Sequence, residues 1–245
     1  MRTITGGYNW YGFTVGILMN ESTFPRPPGD LGNGTTFPFP VRLRVVKDAW
    51  YHGVVVAGDT SLLDKFVEGA KELESQGVKA ITTNCGFLAM FQKQLTAAVT
   101  VPVFTSSLLM VPMIYRMLNP KQKVGILTVN SEALGEVHYN GCGWSSQEIP
   151  IVVQGLEGEK TFTSCFRDDL QQIDMDEMEA DMVNAARTLM KRAPEVGALV
   201  FECTNMAPYG RAVQQAIGGL PIFDIQTLVR FIYDAHHQQQ YSGHM

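Results

Sequence analysis

Two of the four cysteines hold the same place in two similar stretches of chain. Lys79-Ala80-Ile81-Thr82-Thr83-Asn84-Cys85-Gly86-Phe87 leads through a helical segment to Val101-Pro102-Val103-Phe104-Thr105. Gly197-Ala198-Leu199-Val200-Phe201-Glu202-Cys203-Thr204-Asn205 leads through another to Leu220-Pro221-Ile222-Phe223-Asp224. Each unit reads strand, polar residue, cysteine, loop, helix, Pro-containing strand. A free thiol ionises at about pH 8.5, and a helix N-terminus lowers that value because its unpaired N–H groups favour the anion. Gly86-Phe87 and Thr204-Asn205 would supply such groups, which can also hold a carboxylate or an enolate. Two thiols on opposite faces of one carbon form an acid/base pair: a thiolate removes a proton, and a thiol returns one to the other face. This chemistry needs no metal and no pyridoxal group, so no cofactor is expected. Free cysteine is also a common small core residue, and Cys142 and Cys165, outside the repeat, read that way.

The repeat requires elements that bring the cysteines together. Short apolar runs predict strands at Phe13–Leu18, Val54–Ala57, Ala80–Thr83, Val101–Phe104, Val124–Val129, Ile149–Val153, Ala198–Phe201 and Pro221–Phe223. Leu62, Phe66, Ala70 and Leu73 recur at helical spacing between Ser61 and Gln76, with Gly77 as a stop. Met178, Met182, Ala185 and Leu189 do the same from Met175 to Arg192, after Asp174 as N-cap. Strands alternating with helices predict an α/β fold with parallel sheets. A further echo, Val15-Gly16-Ile17-Leu18 against Val124-Gly125-Ile126-Leu127, extends the duplication. The expected architecture is two pseudo-symmetric Rossmann-like lobes, each a three-layer αβα unit, residues 1–115 with 221–245 and residues 116–220. Ligands of open α/β sheets bind beyond the strand C-termini, so the site should lie between the lobes.

Asn20–Pro40 breaks the pattern. Its five prolines forbid a regular helix or central strand, and its position after a predicted strand suggests an ordered loop near the site. The chain has 245 residues, 45% hydrophobic and 18% charged, with a formal net charge of −5. That balance suits a globular protein and, with no basic cluster, argues against nucleic acid as a partner. No apolar run approaches the roughly 20 residues that span a bilayer, and the N-terminus lacks a signal-peptide stretch, so a cytoplasmic protein with no membrane partner is expected. The cysteines and histidines show no metal-binding spacing, and His236-His237 reads as part of a solvated tail.

At Thr83-Asn84-Cys85-Gly86-Phe87 and Glu202-Cys203-Thr204-Asn205-Met206 the sequence resembles the two cysteine motifs of the aspartate/glutamate racemase superfamily. That superfamily also includes hydantoin racemases, maleate isomerases and arylmalonate decarboxylases. Gly125-Ile126-Leu127-Thr128-Val129-Asn130-Ser131 is similar to its strand and loop opening the second half. The resemblance implies that Cys85 and Cys203 are the acid/base pair of an isomerase, most simply an amino-acid racemase acting on aspartate or glutamate. It implies a carboxylate-bearing substrate held by Asn84, Thr128, Asn130, Ser131 and Thr204, with Gly86, Phe87, Asn205 and Glu21 nearby. Asn20-Glu21-Ser22 stands near the Asp-Ser pair of glutamate racemases. Hydantoin racemase, maleate-type cis–trans isomerase and arylmalonate-type decarboxylase are the alternative activities, and two cysteines argue against the last. A non-catalytic small-carboxylate binding protein on the same fold is the alternative from another class. A homo-oligomer is the usual state for such a soluble enzyme.

Overall fold

The computed structural model describes residues 3–244. The first lobe contains strand β1 (Val15–Asn20), the long loop, β2 (Val41–Val46), α1 (Leu63–Ser75), β3 (Ala80–Thr83), α2 (Gln92–Ala98), β4 (Val103–Phe104) and α3 (Val111–Met117). The second contains β5 (Lys123–Thr128), α4 (Glu136–Gly141), β6 (Ile151–Gly155), α5 (Lys160–Arg167), α6 (Met175–Arg192), β7 (Val196–Phe201), α7 (Gly210–Ala216) and β8 (Ile222–Phe223), and α8 (Ile225–His236) follows. Both sheets are four-stranded and parallel, in the orders β2-β1-β3-β4 and β6-β5-β7-β8. The second order repeats the first strand for strand, which is the duplication read from the sequence.

The central strands β1, β3, β5 and β7 are almost wholly buried, which explains their unbroken Val, Ile, Leu and Ala runs. One apolar core runs from Ile17 and Phe66 in the first lobe to Ile126 and Val200 in the second. Another fills the far side of the second sheet around Phe162, Met182 and Leu189. The methionines of α6 are thus core. Asp174 caps that helix by accepting from the Asp176 and Glu177 N–H groups, a contribution of about 1 kcal/mol. Gly77 follows α1 at φ +87°, a left-handed conformation open to glycine.

Three expectations need correction. Val54–Ala57 is not a strand but part of a π-helical turn, His52–Val56, with Val54 and Val55 buried. The edge of the first sheet is instead taken by β2, in which Leu43 and Val45 are exposed and Arg42 and Arg44 are half-buried. The return of the chain to the first lobe begins after Phe223, because β8 pairs with β7 in the second sheet. It is α8 that crosses over: Tyr233 stacks on Phe39 with centroids 3.5 Å apart. His237, read as part of a solvated tail, bonds to the Thr14 hydroxyl at 2.7 Å and stacks on Tyr233. No helix among the described residues is long and apolar enough to cross a membrane.

Candidate active site

The strand β3 is pinned before it ends. Thr82 and Thr83 donate side-chain hydrogen bonds to the Phe104 and Thr105 carbonyls, both at 2.7 Å. Asn84 N–H then donates to the Leu18 carbonyl, and its Oδ1 accepts from Asn20 N–H at 2.7 Å. Cys85 follows in extended conformation as the first residue before a 3-10 turn, Gly86–Phe91. The Phe87 and Leu88 N–H groups and the Asn20 side chain favour its thiolate. The second lobe repeats the device. Cys203 follows β7 and precedes the 3-10 turn Thr204–Tyr209. The Asn205 N–H favours its thiolate, and its thiol donates to Asn205 Oδ1 at 3.5 Å.

The two cysteine turns press directly on each other. Thr204 Oγ1 donates to the Asn84 carbonyl across the lobe boundary. A Cβ on Gly86 would overlap both the carbonyl oxygen and Oε1 of Glu202. Gly86 is therefore required by close approach rather than by its backbone angle. Both thiols open into one cavity of about 220 Å³. Tyr51, Phe24 and Phe166 contribute aromatic wall, and Arg167, Asp168 and Glu21 also line it.

The Pro-rich segment is an ordered strap between the lobes. Asp30 is 2% exposed, is paired with Arg26 at 2.8 Å, and accepts from the Asn205 side-chain amide at 2.6 Å. Asp169 accepts from Thr23 N–H, Thr23 Oγ1 and Phe24 N–H at 2.7–3.0 Å. Gln226 of α8 donates to the Gly29 carbonyl. The strap thus carries Phe24 and Ser22 to the cavity and ties Asn205, beside Cys203, to the first lobe.

The electrostatics differ from the sequence expectation. The N–H groups of the short turns do favour thiolate, but burial outweighs them. Cys85 is pushed up to about 12 by burial and then by the Glu202 charge. Cys203 is likewise pushed well up by the same two causes in the same order. Burial also raises the Tyr51 phenol, with both sulfurs and Glu202 adding to it. Glu202 has no exposed surface and is pushed up to about 8 by burial, against the opposing hydrogen bond from Thr128 at 2.7 Å.

Of the residues expected at the site, Asn84, Gly86, Phe87, Asn205 and Glu21 line the cavity with Cys85 and Cys203. Thr128, Asn130, Ser131 and Thr204 do not. The Thr128 side chain points inward to Glu202. Asn130 accepts from the Glu132 and Ala133 N–H groups, and Ser131 bonds to Glu157. The Thr204 hydroxyl is spent on Asn84. Sequence reasoning missed Asn20, Tyr51, His52, Arg167 and Glu202. Only Glu202 carried a signal there, as an acidic residue at the end of an otherwise apolar strand.

Residues 56–229 match the model of the family described as Asp/Glu/hydantoin racemase. The chain belongs to that family. Among its relatives is a dimethylsulfoniopropionate lyase of Durusdinium sp. clade D, 27% identical over 217 residues, covering 86% of this chain and 71% of the relative. Another is dimethylsulfoniopropionate lyase 7 of Emiliania huxleyi (strain CCMP1516), 27% identical over 223 residues, covering 87% of this chain and 64% of the relative. The chain therefore spans about two thirds of these relatives' lengths. Among solved structures, aspartate racemase of Picrophilus torridus superposes with a TM-score of 0.58 at 15% identity, covering 94% of this chain and 96% of the other. Unliganded arylmalonate decarboxylase superposes at 0.57 with 13% identity, covering 92% of each. These superpositions establish the shared fold.

Proposed function

We propose that the protein is a cofactor-independent lyase that removes the proton α to the carboxylate of a small onium acid, with dimethylsulfoniopropionate as the substrate to test first. The carrying observation is the pair of thiols opening into one aromatic-walled cavity. The sequence relatives named as lyases of that compound, aligned over most of the chain, support the choice. The reaction balances without a co-reactant. A base takes the α-proton, its electron pair forms the new C=C bond, and the C–S bond breaks to leave neutral dimethyl sulfide. The products are acrylate, dimethyl sulfide and one proton, released when the base resets.

Cys85 is the better base. The Phe87 and Leu88 N–H groups and the Asn20 side chain favour its thiolate. Cys203 donates its proton to Asn205 and suits the acid. A sulfonium suits this site physically. It carries no N–H donors, so aromatic faces satisfy it. Its positive charge beside the sulfurs also opposes the burial that holds them as thiols. Arg167 at the mouth and the N–H groups after each cysteine are the donors available to the carboxylate.

A second reading is amino-acid racemisation. The placement of one thiol on each lobe, by the same local structure, favours it because inversion needs an acid and a base on opposite faces. The test is a single incubation series in deuterated water with dimethylsulfoniopropionate, aspartate, glutamate and hydantoins. Dimethyl sulfide is read by gas chromatography and acrylate and α-deuteration by NMR. Release of dimethyl sulfide with acrylate in equal amounts supports the lyase. Inversion of an amino acid or hydantoin without dimethyl sulfide release overturns it in favour of the racemase. No exchange on any compound overturns both.

A further inference from the structure

Glu202 is a charged-type side chain with no solvent and almost no partners. It is 0% exposed, accepts one hydrogen bond from Thr128, and leaves Oε1 buried without a partner. No Arg, Lys or His among the described residues pairs with it. A carboxylate so placed is costly to ionise. Its position is also specific. It immediately precedes Cys203, and Oε1 lies against Gly86, the residue after Cys85. One carboxyl group therefore sits where the two cysteine turns meet.

We propose that Glu202 is a positioning residue that sets the reactivity of both thiols, permitting thiolate while it is neutral and suppressing it once it ionises. The titratable groups that feel its charge are Cys85, Cys203, Tyr51 and Tyr139. All four form anions, so a charged Glu202 opposes each of them and none relieves it. Burial holds Glu202 neutral up to about pH 8. Below that pH the sulfurs face a neutral acid. Above it the first proton lost is from Glu202 rather than from a sulfur, and the next anion must form beside an existing one. Thiol reactivity should then climb less steeply with pH than a simple thiol's. No sulfur lies within hydrogen-bond reach of Oε1, so the influence is through charge and not through a direct proton hand-over. The inference holds for either reaction proposed above, since both require a thiolate.

The test needs no substrate. Iodoacetamide labelling of the whole protein is followed at pH 7 and pH 9.5, with each cysteine quantified by peptide mass spectrometry. In E202Q, Cys85 and Cys203 should label at the parental rate at pH 7 and about tenfold faster than the parent at pH 9.5, a tenfold change being one pKa unit. Cys142 and Cys165 are raised by burial without any Glu202 contribution and serve as internal controls. Their rates should not change at either pH. T128V removes the hydrogen bond that favours the carboxylate, so Glu202 ionises at higher pH and the two site thiols should gain reactivity at pH 9.5 by a smaller factor. Equal rates for E202Q and the parent at both pH values overturn the proposal. So does acceleration of all four cysteines together, which marks a loosened fold.

Discussion

Asn205 and Asp30 belong to opposite lobes and meet at 2.6 Å, the amide donating to a carboxylate that is also paired with Arg26. Asn205 in turn accepts the Cys203 thiol proton. Cys203 is therefore oriented by a residue that the strap holds in place. Asp30→Ala should destabilise the fold by about 3 kcal/mol, because it leaves Arg26 nearly buried without a counter-charge. Asp169→Ala removes bonds at a partly exposed position and should cost about 1 kcal/mol. Chemical denaturation of the two variants checks the ordering. Both should also slow turnover, Asp30→Ala more, since it frees Asn205.

Gly86 touches the backbone of the opposite cysteine turn, and a backbone carbonyl cannot swing aside as a side-chain end can. Gly86→Ala should lower stability by about 1–3 kcal/mol, the usual cost of overpacking, and reduce activity by more than its stability loss explains. Gly34 has open space around a would-be Cβ, so Gly34→Ala is the control and should be close to neutral. Thermal melts with activity measured well below the transition separate the two effects.

The buried carboxyl of Glu202 also marks the stability curve. Its folded-state pKa, about 8, lies above the ordinary 4.5. Between those values the unfolded chain ionises it while the folded chain keeps the proton, so this group's contribution to stability falls as pH rises through the window and levels off above it. Glu202→Gln removes the effect. Relative to the parent, the variant's melting temperature should rise steadily from pH 4.5 to pH 8 and hold beyond. A difference independent of pH would mean that Glu202 is ionised in the folded protein.

The repeat made Cys85 and Cys203 legible, because the same strand-to-turn junction is written twice and each junction is local. The same logic reached Gly86, Phe87 and Asn205, which line the cavity, and Thr204, which does not; Asn84 came from the family resemblance. It failed one strand away. Thr128 stands at the end of β5 as expected, but its side chain faces Glu202 rather than the cavity, and resemblance does not fix side-chain direction. Tyr51 and Arg167 come from the β2–α1 link and the end of α5, where no local pattern marks a site. Val54–Ala57 failed because a short apolar run has too few residues to separate a strand from a helical turn by periodicity. β2 was missed because Arg42 and Arg44 break its apolar run. Both have partners outside the sheet: Arg42 lies over the Trp10 ring at 4.2 Å and Arg44 pairs with Glu72.

The division of labour between the thiols decides between the two proposed reactions. Elimination needs one base, and the groups that favour the Cys85 thiolate make it that base. Cys85→Ala should then lower dimethyl sulfide release by about 10³-fold, within the usual range for a lost general base, while Cys203→Ala should lower it less. Racemisation needs both groups. In that case Cys85→Ala and Cys203→Ala should each abolish inversion, yet each keeps one thiol and should still exchange the α-proton of one enantiomer with deuterated water, a different enantiomer in each variant. Cys142→Ala and Cys165→Ala lie away from the cavity and should remain within a few-fold of the parent under either reaction. Exchange is read by NMR, inversion by chiral chromatography and elimination by gas chromatography on the same samples. Near-parental turnover in Cys85→Ala would contradict its assignment as the base and shift that role to Cys203. Near-parental turnover in both single variants would remove the thiols from the chemistry altogether.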